Sequence, residues 1–122
     1  ELHTLKEMVD TLVLPAAYSY QGALAANAAQ AKAAGIKEIP QVERANEVGA
    51  LAKQLKAKRE ALAKVIDKAE SLHEELAPCA TLLTSEGADA MAAVRAASDA
   101  LELIIGDEFW PLPKYREMLF PV

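Results

Sequence analysis

Between Val48 and Leu76 an apolar side chain returns every seven residues, at Val48, Leu55, Leu62, Ala69 and Leu76. Leu51, Val65 and Leu72 form most of a second seam, which Lys58 interrupts, and Gly49 weakens the start. Such a repeat keeps one stripe of a helix apolar over many turns, as in a coiled coil. It predicts a helix from about Gln41 to Leu76, a rod of roughly 50 Å at 1.5 Å per residue. Pro40 ends any preceding helix at Ile39 and suits the first position of this one, and Pro78 closes it.

The flanking sequence predicts two further helices. Leu2, Leu5, Val9, Leu12 and Ala16 are spaced three and four apart, and Tyr20, Ala23 and Leu24 continue that face. A helix from about Leu2 to Ala34 follows, stopped by Gly35. Pro15 falls inside it, where a missing backbone N–H and a steric clash predict a kink or break near Leu14. After a crossing through "ATLLTSEGAD", Thr84 or Ser85 can cap the next helix, with Glu86 and Asp89 near its positive end. Met91, Val94, Ser98, Leu101 and Ile105 then form a stripe that runs to about Gly106.

With 122 residues the chain is long enough for one domain with a modest core. Hydrophobic residues make up 52%, but many are alanine and only 5% are aromatic, so the core is thin and helix propensity high. Runs of period two are missing, and the reading is all-α: an antiparallel bundle of three long helices, or four if the first splits at Pro15.

The net charge of −5, with acids and bases interspersed, argues against nucleic acid or an anionic membrane surface as partner. An apolar run of 18 residues and a signal peptide are both lacking. A single cysteine, Cys79, can form neither an internal disulfide nor a thiolate metal cluster, which fits a reducing cytoplasm. The chain opens at Glu1 already inside an apolar period, as expected of a piece cut from a longer protein.

Few residues suggest chemistry. "ESLH", Glu70 to His73, has the spacing of one half of a di-iron bundle motif, but the second half is missing, and a solvated face is the simpler reading. His3 and Glu7 read as a surface pair, and Cys79 as a small buried thiol. "KQLKAKRE", Lys53 to Glu60, reads as the wet side of the rod, and phosphate-cradling glycine patterns are absent. Tyr18 and Tyr20, two residues apart, point in different directions, so only one can face a given partner. The sequence therefore predicts no catalytic, cofactor-binding or metal-binding residue.

The closing stretch "GDEFWPLPKYREMLFPV" is unlike the rest. It holds Phe109, Trp110, Tyr115 and Phe120, four of six aromatic residues, and Pro111, Pro113 and Pro121, three of six prolines. The prolines forbid continuation of the third helix. The segment is predicted to fold back and cap an underfilled alanine bundle, with Pro15, Tyr20, Trp110, Pro111, Pro113, Tyr115 and Phe120 as packing residues.

Two stretches, "EMVDTLVLPAAYSYQGALA" and "AASDALELIIGDEFWPLPKYREMLF", resemble the C-terminal end of type III glutamine synthetases. The resemblance is carried by Leu14, Pro15, Ala16, Tyr20 and Gln21, then Asp99, Leu101, Glu102 and residues 110–120. Ser19 departs from the basic residue common before the tyrosine, and the central rod matches only in kind. What the resemblance implies is a non-catalytic helical domain of a large homo-oligomer, two stacked hexameric rings. The parent would ligate ammonia to glutamate with ATP and Mg2+ or Mn2+, its catalytic residues lying upstream. The partners implied are that upstream catalytic domain and neighbouring subunits. The alternative from another class is a free-standing helical interaction module.

Overall fold

The computed structural model describes residues 1–114, and among these every regular element is helical. The first long helix covers residues 2–33 as Leu2–Met8, a π-helical stretch Val9–Val13, and Leu14–Ala33. The second is an uninterrupted α-helix, Gln41–Ser71. The third covers residues 76–104 as Leu76–Leu82, a second π-helical stretch Leu83–Gly87, and Ala88–Ile104. The all-helical reading and the three long helices agree with the sequence expectation.

The first helix does not split at Pro15. The chain stays helical through the proline, and its irregularity is the wider turn just upstream. Both π-helical stretches contain hydroxyls that donate to carbonyls of the preceding turn. Thr11 Oγ1 bonds the Glu7 carbonyl at 2.7 Å, and Ser85 Oγ bonds that of Thr81 at 2.7 Å. Such back-bonding competes with backbone amides and loosens the α-helical ladder locally. At Gly35 the backbone reaches φ +82°, and Gly35 and Ile36 donate to the carbonyls of Lys32 and Ala31. That is the left-handed glycine stop predicted there.

The boundary between second and third helices falls elsewhere than expected. The second helix ends at Ser71 rather than continuing to Leu76, and Pro78 lies inside the first turn of the third helix rather than closing the second. A proline is tolerated there because first-turn amides lack intrahelical acceptors. Ser71 Oγ and the His73 ring Nδ1 donate to the carbonyls of Lys68 and Glu70 at 2.7 Å each, occupying acceptors at the helix end. Thr84 and Ser85 consequently sit within the third helix and bond backward instead of capping it.

The second helix is the axis of the core. Val48, Ala52, Leu55, Leu62 and Ile66 are buried along it, against Val9, Val13, Leu14 and Ala17 of the first helix and Val94 and Leu101 of the third. The buried line follows the helical repeat near 3.6 and so drifts from the heptad positions toward Ala52 and Ile66. Leu76, the last heptad position, is 82% exposed. Pairings fix the directions: Asp10 and Gln21 of the first helix meet Arg59 and Ala45 of the second, and Glu86 and Ile104 of the third meet Lys68 and Arg44. Each neighbour runs opposite to the central helix.

Candidate functional site

Two regions gather the distinctive side chains, one at each end of the helices. The first is an aromatic junction. Ile105 leaves the third helix in an extended conformation, and the chain turns through bonds from Phe109 N to the Gly106 carbonyl and Trp110 N to the Asp107 carbonyl. The turn tucks Trp110, only 8% exposed, into the main hydrophobic cluster. Phe109 packs on Tyr20 with ring centroids 5.3 Å apart and planes tilted by 50°, a favourable aromatic geometry. Gly106 permits the approach, since a Cβ there would lie 3.2 Å from Tyr20 Cε1.

Cations close this end. Lys114 Nζ donates to the Ile105 carbonyl at 2.6 Å and to Asp107 Oδ1 at 2.8 Å, and Arg44 donates to the Ile104 carbonyl at 3.3 Å. Carbonyls at a helix C-terminus lack amide partners and carry partial negative charge, so positive side chains are favoured there. The Trp110 indole Nε1 is buried and has no hydrogen-bond partner among the described residues.

The expected packing residues distribute unevenly. Tyr20 is half-buried in the junction and Trp110 is buried, while Pro15, Pro111 and Pro113 are exposed. Tyr115 and Phe120 lie outside the described residues. Tyr18 is 52% exposed, so of the two tyrosines only Tyr20 faces the junction. Gln21, beside it, donates to the Ala45 carbonyl at 3.3 Å and ties the first helix to the second. Thus the two stretches that carry the family resemblance, distant in sequence, touch through Tyr20, Gly106 and Phe109.

The second region is a groove of about 420 Å³ lined by Leu2, Ile66, Ala69, Leu83 and Met91, with Glu1, His3, Glu70 and His73 also along it. His3 Nε2 lies 2.9 Å from Glu70 Oε1, so His3 pairs across to the second helix rather than with Glu7 on its own. Sequence spacing shows only neighbours along one helix, and this pairing depends on how two helices meet. Both His3 and Glu70 are largely exposed, and the energy of such a pair is a few tenths of a kcal/mol to about 1 kcal/mol.

Between the two regions Arg59 grips Asp10 with two bonds, 2.7 Å from Nε to Oδ1 and 2.8 Å from the terminal nitrogen to Oδ2. The hydrogen bond to Asp10 holds the Arg59 guanidinium above its ordinary pKa, with partial desolvation opposing. Sequence reasoning placed Arg59 on the wet side of the rod; it is half-buried and joins the first helix to the second.

Chemically these arrangements hold helices together. Thr11, Ser71, Thr84, Ser85 and the half-buried Cys79 donate to backbone carbonyls, not to histidines. Among the described residues no three His, Cys, Asp or Glu side chains gather to hold a metal ion. No helix among the described residues is long and apolar enough to cross a membrane.

Comparison with known proteins extends the resemblance beyond the two end motifs. The chain is 31% identical, over 126 aligned residues, to the type-3 glutamine synthetase of Dictyostelium discoideum. The alignment takes in 98% of this chain and 17% of that protein, so the chain spans about a sixth of its relative's length. No protein-family model and no solved structure matches the chain. The similarity runs through the central helix as well as the ends, in agreement with the family read from the motifs.

Proposed function

We propose that this chain, similar along nearly its whole length to one segment of type-3 glutamine synthetase, is the non-catalytic helical C-terminal domain of such an enzyme. The parent would join ammonia to glutamate at the expense of ATP in the cytoplasm, with Mg2+ or Mn2+. The domain's own work is architectural: it packs on the catalytic domain and supports assembly of the homo-oligomer. The observation that carries this reading is the similarity over 98% of the chain to only 17% of a glutamine synthetase. Helices tied by a bidentate ion pair, an aromatic junction and charged helix ends suit a rigid support. A bend at Pro15 belongs to the same proposal, supported by the wider turn at Val9–Val13 immediately before it.

The test separates chemistry from architecture. The isolated 122-residue chain, given glutamate, ammonia, ATP and Mg2+ or Mn2+, is expected to form no glutamine, whereas a longer polypeptide containing it does. Deleting these residues from that polypeptide is expected to reduce assembly size by light scattering. Glutamine synthesis by the isolated chain would overturn the assignment.

A further inference from the structure

The groove at the Glu1 end is apolar along its length and bordered by hydrogen-bonding groups. Leu83 on its wall is 40% exposed, and Leu76, seven residues earlier on the same helix face, is 82% exposed. Together they extend the apolar surface beyond the groove and onto the outside of the third helix. Its other border carries acceptors. The Glu70 carboxylate accepts there, one oxygen lying 2.9 Å from His3 Nε2, and the His73 ring lies beside it with its Nε2 3.8 Å from Glu74 Oε1.

Glu1 and Leu2 themselves line the groove, so in the enzyme proposed above a polypeptide joined to Glu1 would depart from within it. The chain accounts for 17% of its relative's length, which leaves most of such an enzyme outside this structure. Resting on the function proposed above, we infer that this groove is the surface that receives the upstream part of the same polypeptide. An apolar side chain of that segment lies against Leu83 and Met91, and an N–H donor, from its backbone or from Lys or Arg, meets the Glu70 carboxylate. Leu103, the other strongly exposed leucine, lies near the opposite end of the third helix and does not line this groove.

Cysteine accessibility tests this without relying on enzymatic activity. In a Cys79→Ser background, His73→Cys places a thiol at the groove and Lys64→Cys places one on the exposed side of the second helix. Reaction with dithionitrobenzoate is followed in the 122-residue chain and in a longer polypeptide that retains the upstream sequence. The expected result is a rate at position 73 at least about tenfold lower in the longer polypeptide, with position 64 unchanged. Adding Leu83→Glu is expected to restore most of the lost rate while far-UV circular dichroism stays unchanged. Equal rates at position 73 in the two proteins overturn the inference. So does protection in the short chain that grows with its concentration, because a second copy would then be the occupant. Glutamine formation by the longer polypeptide is assayed separately: its absence rejects the functional reading and leaves the accessibility result to decide the groove.

Discussion

Truncating Trp110 to alanine removes the largest side chain of the aromatic junction, and its cost can be worked from the structure. A tryptophan buries about 150–250 Å², and this one is 8% exposed, so at about 25 cal/mol per Å² the gross loss is about 4–6 kcal/mol. Measured truncations of buried tryptophans cost about 3–5 kcal/mol. One term opposes it. The indole Nε1 is buried without a partner among the described residues, a penalty of about 1–3 kcal/mol that leaves with the ring. The net expectation for Trp110→Ala is a loss of about 2–4 kcal/mol. For a domain of this size that lowers Tm by roughly 8–16 °C. Trp110→Phe keeps an aromatic ring and deletes the unpaired N–H, so it is expected to stay within about 1 kcal/mol of the parent chain. Thermal unfolding followed by far-UV circular dichroism measures both. A shift below about 2 °C for the alanine variant would mean that Trp110 does not hold the closing turn onto the bundle. A phenylalanine variant as damaged as the alanine one would refute the account of the indole nitrogen.

Four other perturbations probe the remaining contacts. Leu62→Ala, at a fully buried position of the central helix, should cost about 2–5 kcal/mol in urea unfolding with the m-value retained. Arg59→Ala should cost about 1 kcal/mol, since its bidentate pair with Asp10 is about a third exposed and solvent screens it. Because that pair raises the Arg59 pKa, the arginine's contribution is complete below the ordinary arginine range and disappears only as pH rises through the folded value in strong alkali. Stability curves should therefore show no Arg59-dependent transition between neutral and mildly basic pH. Gly106→Ala pushes a methyl to 3.2 Å from Tyr20 and should cost about 1 kcal/mol, with a change in the near-UV aromatic spectrum. Leu103→Lys, on the exposed face, should change Tm by no more than the equivalent of about 0.5 kcal/mol.

The sequence by itself determined the helical class, the stop at Gly35 and most of the buried stripes. These are local properties: 3.6-residue periodicity, alanine propensity and the glycine that accepts positive φ act over one or two turns. Val48, Leu55, Leu62, Val94, Leu101 and Ile105 could be placed inside for that reason, and all are buried. The end motifs also carried the resemblance to type III glutamine synthetases, which the 31% identity to one such enzyme extends along the chain. Only the tertiary structure decided that Leu76 leaves the heptad line, because the chain turns after Ser71 where side chains satisfy the last carbonyls. It also decided that Thr84 and Ser85 lie within a helix, that Arg59 reaches Asp10, and that His3 meets Glu70 rather than Glu7. Most decisively, it brought Tyr20 against Gly106 and Phe109. Spacing along the chain specifies which face of its own helix a residue occupies, but the rotation and offset of one helix against another are set by packing of all the faces together.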